Sequence, residues 1–214
     1  MIFDKMSGER IKITTNGPIT VFGGIPLKEE TIKSDAMGRP EKWETVKKLY
    51  PSGTYVLCRC GRSKDKPFCT GDHIGWDGTE TAKRNTFEER ANVFQIREGV
   101  VILQDMSFCF GAAFCHAKQK IEKAAANEKT MDSALQQSYD CAGGSIVIKV
   151  NGVAQEPKLE KGISTTGKNM PIWVKGGIPV ESSDGYIYEV RNRVTLCSCG
   201  KSSNKPFCDG SHKR

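Results

Sequence analysis

The side chains with the strongest chemical signature in this 214-residue chain are cysteine and histidine, and most of them fall into one spacing. VTLCSCGKSSNKPFCDGSH (194–212) brings Cys197, Cys199, Cys208 and His212 within sixteen residues. On an extended chain, residues i and i+2 point to the same side, so the sulfurs of Cys197 and Cys199 can reach one metal atom. Cys208 and His212 are four apart, the separation that places two side chains on one face of a helical turn. Gly200 permits a tight reversal between the pairs, and Pro206 suits the first turn of a short helix. The unit reads as a strand, a bend and a short helix, with three thiolates and one imidazole converging on metal.

The construction occurs twice. YVLCRCGRSKDKPFCTGDH (55–73) places Cys58, Cys60, Cys69 and His73 at identical spacing, and Gly61, Ser63, Lys66, Pro67, Phe68 and Gly71 match Gly200, Ser202, Lys205, Pro206, Phe207 and Gly210. Thiolate plus imidazole suits both iron–sulfur and zinc. Structural zinc sites commonly hold two to four residues between paired cysteines, whereas both copies read C-x-C, eight residues, C, three residues, H. Both stretches resemble the CDGSH iron–sulfur family, the group that contains the mitoNEET-like proteins. The resemblance implies a [2Fe–2S] cluster in each copy. Cys58 and Cys60 would hold one iron and Cys69 and His73 the other, with Cys197, Cys199, Cys208 and His212 in the same roles. It also implies that His73 and His212 lie near the surface and govern proton-coupled reduction and cluster release. The first copy departs at CTGDH, where Thr70 and Asp72 stand in place of Asp209 and Ser211. Asp72, Ser211, Lys66 and Lys205 are expected to surround and tune the ligands. The competing reading is a zinc-stabilised structural module used for binding.

The repeat extends upstream of the ligands. NGPITVFGGIPL (16–27) reappears as NMPIWVKGGIPV (169–180), and an opening strand is expected at 10–14, where Ile11 and Ile13 alternate with polar neighbours. Cys58 follows Pro18 by forty positions, whereas Cys197 follows Pro171 by only twenty-six. Within the surplus, Pro40 to Leu49 is expected to form a short surface helix with Trp43, Val46 and Leu49 on one side. In the second copy a Ser-Ser-Asp-Gly turn leads into Tyr186–Val190 and then the ligand strand. In mitoNEET-like proteins two identical chains, each with one motif, pair around a two-fold axis under a shared β-cap. The resemblance therefore implies a fused version, an intrachain pseudo-dimer that is monomeric as a chain; two separate beads are the alternative.

Residues 76–100 read as a connector anchored by Trp76 and Phe87. The central region, 101–150, opens with a buried strand at 100–105, continues through helices at Ala117–Ala126 and Thr130–Tyr139, and closes with a strand at 146–150. Met131, Leu135 and Tyr139 are expected to face inward, with Thr130 as cap. A polar linker follows at 151–168. The organisation is thus a first β repeat with its motif (1–75), connector, central α/β insert, linker, and second β repeat with its motif (169–214), in an α+β, β-rich fold. Cys109, Cys115 and Cys141 lie in the insert, and 105–146 resembles the divergent single-cluster ferredoxin-like domain, with Ala142-Gly143 in place of Pro-Ser. That resemblance implies a third, [3Fe–4S] or [4Fe–4S], cluster, with His116 available as fourth ligand. The alternatives are a relic packing site or plain core cysteines, since FCFGAAFC is the most apolar segment of the chain.

Composition narrows the class. Nine cysteines, an odd number concentrated in ligand-like groups, argue for thiols kept reduced. The N-terminus lacks the pattern of a signal peptide, and no apolar run approaches a bilayer span, so no transmembrane anchor and a cytoplasmic location are expected. The formal charge of +7 is spread among acids without dense basic runs, which excludes a nucleic-acid groove. Two clusters of about −1 each when oxidised would lower it further. There is no nucleotide-binding glycine fingerprint, GxSxG or HExxH, so an independent enzyme is not expected. The reading is a soluble iron–sulfur protein for electron transfer or proton-coupled redox, meeting a redox or cluster-accepting protein. The alternative function is cluster storage and transfer to apo-proteins.

Overall fold

The computed structural model describes residues 8–167 and 170–213; the N-terminal stretch 1–7 that was read for a leader, the junction at 168–169 and Arg214 lie outside them. The first repeat supplies β1 (Arg10–Ile13), β2 (Ile19–Phe22), β3 (Leu27–Ser34), β4 (Pro40–Leu49) and β5 (Tyr55–Leu57). The period-two pattern of β1 and β2 turns Ile11, Ile13, Ile19 and Val21 into the core, where all four are fully buried. Pro40–Leu49 is a strand and not the expected helix. It runs antiparallel to β3, with Leu27 opposite Leu49 and Ile32 opposite Trp43, and most of its side chains are exposed. Trp43 packs instead against Phe114 and Trp173, at ring-centroid distances of 5.7 and 5.0 Å, and donates its indole N–H to the Asp140 carbonyl.

The middle of the chain forms α1 (Phe87–Arg90), β6 (Asn92–Arg97), β7 (Val100–Gln104), α2 (Ile121–Ala125), α3 (Met131–Tyr139), β8 (Ile146–Val150) and β9 (Val153–Gln155). The sheet order is β6-β7-β8-β9, every neighbour antiparallel. Val100, Ile102, Ile146 and Ile148 pack beneath Ile121, Ala124, Ala125 and Ala134 of the two helices. Several expectations shift here. Helix begins at Ile121 and not at Ala117, because Phe114–His116 is a separate 3₁₀ turn. Thr130 makes no side-chain cap, and the buried face of α3 is Ala134, Gln137 and Ser138 in place of Tyr139. The connector holds β6, and the linker holds β9 and the strand that follows it, so neither segment is mere passage. Trp76 and Phe87 are buried anchors as expected, at 9% and 4% exposure.

The second repeat supplies β10 (Gly162–Thr165), β11 (Ile172–Lys175), β12 (Val180–Glu181) and β13 (Arg193–Leu196). One sheet has the order β12-β1-β2-β5 and the other β13-β11-β10-β3-β4. The joining pairs are parallel and reciprocal: Ile11 lies opposite Val180, and Ile163 opposite Leu27. Each repeat thus lends its third strand to the sheet of the other. Their apolar faces meet in one core, in which Ile11, Ile19, Leu27 and Leu57 join Ile163, Ile172, Val180 and Leu196. The result is an α+β, β-rich fold with two motif regions flanking a central α/β segment. Among the described residues no helix is long and apolar enough to cross a membrane.

Arg193 fastens the insert to the second repeat. It is 1% exposed, donates to the carbonyls of Cys141 (3.0 Å), Ser138 (3.0 Å) and Ile146 (3.1 Å), and pairs with Glu156. Buried carbonyls demand such donors.

Candidate metal centres

Each motif is closed by the same local bonds. After β5 the chain returns through a bend in which the Cys58 N–H donates to the Pro67 carbonyl (2.8 Å) and the Cys69 N–H to the Val56 carbonyl (3.0 Å). Ser63 Oγ donates to the Phe68 carbonyl (2.6 Å) and accepts the Asp65 N–H (3.2 Å), holding the loop between them. After β13 the partners are Cys197 with Pro206 and Cys208 with Thr195, both at 2.8 Å, and Ser202 with Phe207 at 2.7 Å. Pro67 and Pro206 follow cis peptide bonds in these bends. The short helix expected from Pro206 is not formed there; the helical turn after β13 is the 3₁₀ segment Ser211–Lys213.

The bends bring the donors together in pairs. Cys58 Sγ and Cys60 Sγ are 3.8 Å apart, and Cys197 Sγ and Cys199 Sγ 3.7 Å. Two sulfurs on one tetrahedral metal, each at about 2.3 Å, are separated by about 3.8 Å. Cys69 Sγ lies 3.4 Å from His73 Nδ1, and Cys208 Sγ 3.4 Å from His212 Nδ1. That too is near the edge of a tetrahedron with one S and one N corner. Nδ1 is therefore the inward nitrogen and Nε2 the remote one. Main-chain N–H groups of Arg62 and Gly71 donate to Cys60 Sγ and Cys69 Sγ, each at 3.4 Å.

Electrostatics fit a cation among these thiols. Burial pushes the Cys208 thiol up to about 12 and raises Cys60 as well. Cys197 and Cys199 share one proton: Cys197 ionises readily because the Cys199 thiol donates to it, and Cys199 is held far up by the anion beside it. Only a positive metal would let all of them ionise together. Burial lowers His212, assisted by Lys213, which favours the neutral imidazole that binds metal. Among the described residues no three His, Cys, Asp or Glu side chains converge on a single ion; the donors stand two by two.

The ligand loops also touch each other. Gly61 (φ +81°) and Gly200 (φ +79°) lie back to back: a Cβ on Gly61 would stand 2.6 Å from the Cys199 carbonyl oxygen, and one on Gly200 2.5 Å from that of Cys60. The indole N–H of Trp76 reaches the Gly200 carbonyl at 3.4 Å, and its ring packs with Cys58 and Cys60. Sequence reasoning missed this contact. Gly200 was read only as a bend, although a glycine repeated after each C-x-C pair is the signal that both loops need one.

The expected surroundings divide. Asp72 accepts the Thr70 hydroxyl, and Asp209 accepts the N–H and O–H of Ser203 and the Ser211 N–H (3.0 Å). The acid and hydroxyl have exchanged places between copies, yet each carboxylate still finds a local donor. Lys205 Nζ donates to the Ser202 carbonyl (2.7 Å), and Lys66 borders a cavity beside Cys58. Of the central residues, Cys109, Cys115 and Cys141 are each half-buried and His116 is exposed. Burial pushes Cys115 up to about 11, with Cys141 and Cys109 adding to it. Cys141 Sγ sits 3.3 Å from Ser145 Oγ.

Comparison with known families now bears on both paired sites. Residues 16–74 and 169–213 each match the family model of the iron-binding zinc finger CDGSH type. No curated protein and no solved structure matches the chain. Each matched segment takes in the repeated β stretch upstream as well as all four donors, and the family it resembles is one of iron-binding modules. The matched segments leave the connector and insert between them.

Proposed function

We propose that the chain holds two [2Fe–2S] clusters, each bound by three cysteines and one histidine, and works in electron transfer or proton-coupled redox. Cys58 with Cys60 and Cys69 with His73 would hold the two irons of the first, and Cys197 with Cys199 and Cys208 with His212 those of the second. The observation that carries this reading is the pairing of donors at tetrahedral-edge distances, made twice. The cluster supplies one-electron chemistry. The protein would set who can reach it and where a proton can reside. Binding through Nδ1 would leave the proton on Nε2, which in His212 is buried without a hydrogen-bond partner; the His73 side chain borders a pocket of about 400 Å³.

The same reading makes the chain an intrachain pseudo-dimer. Reciprocal strand lending and the back-to-back glycines support it. The test is the visible spectrum of fresh protein with iron and sulfide assays: about four irons and four sulfides per chain are expected, falling by half in Cys58→Ser and in Cys197→Ser. Circular dichroism should show both variants folded. Colourless protein carrying zinc would overturn the assignment.

A further inference from the structure

What lies alongside the two motifs differs. Beside the second, residues 76–82 run as an irregular strap. The Gly78 N–H donates to Asn16 Oδ1 (2.9 Å), and the N–H groups of Thr81 and Ala82 both donate to the Lys205 carbonyl (2.8 and 2.9 Å). Thr81 Oγ1 donates to the Ser203 carbonyl (2.8 Å) and accepts the Lys205 N–H (2.9 Å). The Glu80 carboxylate accepts from the Ser183 N–H (2.8 Å) and the Tyr188 hydroxyl (2.9 Å). Arg59, fixed to the carbonyls of Gly17 and Thr14 with Trp76 stacked on it, forms the floor.

The internal repeat maps this arrangement onto the first motif. Ser203, Lys205, Ser182 and Arg59 correspond to Lys64, Lys66, Glu29 and Ser198. Where the strap would run, the structure has a groove of about 470 Å³ bordered by Gly61, Glu29, Lys64, Lys66 and Ser198, with Cys58 in its wall. That volume is in the range of ligand-binding clefts. The change of Arg59 to Ser198 leaves the floor open, and two lysines against one glutamate favour an anion. We propose that this groove docks an extended, carboxylate-bearing segment of a partner protein. The segment lies along Lys64–Lys66 as Thr81 and Ala82 lie along Ser203–Lys205. The occupant is therefore a peptide whose form the chain already displays, and its place in the wall of Cys58 brings the partner beside the first centre. The inference does not depend on which metal the motif holds.

The test titrates the full chain, as purified with its metal, with a capped peptide of the strap sequence GTETAK, followed by calorimetry. Saturable one-to-one binding is expected, weakened at least about tenfold by Lys64→Glu or by glutamine in place of the peptide's glutamate, and strengthened by Glu29→Lys. Lys64 is absent from the second groove, so its effect separates docking here from displacement of the native strap. Absence of saturable binding, or equal binding by Lys64→Glu, would overturn the proposal. So would a concentration-dependent dimer in sedimentation that Lys64→Glu abolishes, which would give the groove to a second copy.

Discussion

Around the second motif, β13 is buried along its whole length, Phe110 packs over His212 at 6.4 Å between ring centroids, and Gly210 abuts the Cys109 carbonyl. Around the first, Val56 of β5 is 37% exposed, Gly71 has nothing within 4 Å of where a Cβ would stand, and His73 opens on a pocket. The ligands, bends and distances are the same. The difference comes from the insert, which closes over Cys208 and His212, while the connector serves both copies, laying Trp76 on Cys58 and Cys60 and Thr81 along Ser203 and Lys205. A repeated site can thus be given two behaviours without changing a ligand, through the side chains that a third region lays across it.

The largest test of this contrast is Arg193→Met. It strips the donors from the carbonyls of Cys141, Ser138 and Ile146 and removes the charged partner of Glu156, which keeps the Asn192 amide. Breaking a buried pair costs about 3–5 kcal/mol, read as a drop in the urea midpoint. Protease should then cut the insert first and leave the two β repeats resistant. Phe110→Ala removes a 2%-exposed ring from above His212 and should cost about 3 kcal/mol. Under the two-cluster reading, acid bleaching of the wild type is biphasic, the first centre fading faster, because protonation of a ligating imidazole competes with iron. In Phe110→Ala the slow phase should approach the fast one. An unchanged slow phase would show that cover over His212 does not control loss.

A smaller effect isolates one contact. Gly71 and Gly210 hold the same motif position at φ +86° and +85°, but only Gly210 faces a carbonyl, 2.9 Å from a built Cβ. Backbone strain is common to both alanine variants. Gly210→Ala should therefore be the less stable by about 1–2 kcal/mol, an increment due to the insert alone. The smallest effect concerns pH. Burial opposes ionisation of Asp105, yet bonds from Ser107 and Arg90 hold its carboxyl below the usual value. Its contribution is complete above the unfolded value of about 3.9 and is lost as pH falls through the lower folded one. The urea-midpoint gap between wild type and Asp105→Asn should be constant from about pH 5 to 7 and shrink below about pH 4.

The donor pairs were legible because their spacing is local: each spans a few residues, and the bend between one pair and the next is written in the same stretch. β1, β7 and β8 were legible from periodicity. Pro40–Leu49 was not, since Trp43, Val46 and Leu49 recur at a helical interval while pairing with β3 decides the outcome. β10 hides in a polar linker because its partners, β3 and β11, are remote or follow it. Arg59 and Ser198 sit at equivalent places between paired cysteines, where sequence alone does not reveal that one fills a floor and the other leaves a groove. The asymmetry of cover depends on where the insert lands, which no local pattern encodes.

The lent strands belong to a single polypeptide, and this alters how the assembly answers to dilution. Separate subunits that trade strands come apart as concentration falls, their stability tied to mass action. Here β3 and β12 are tethered to the sheets that receive them, so docking is governed by an effective concentration that dilution does not change. The same tether forbids repair by exchange: a chain with one damaged half cannot trade it for an intact one, and keeps that lesion for its lifetime.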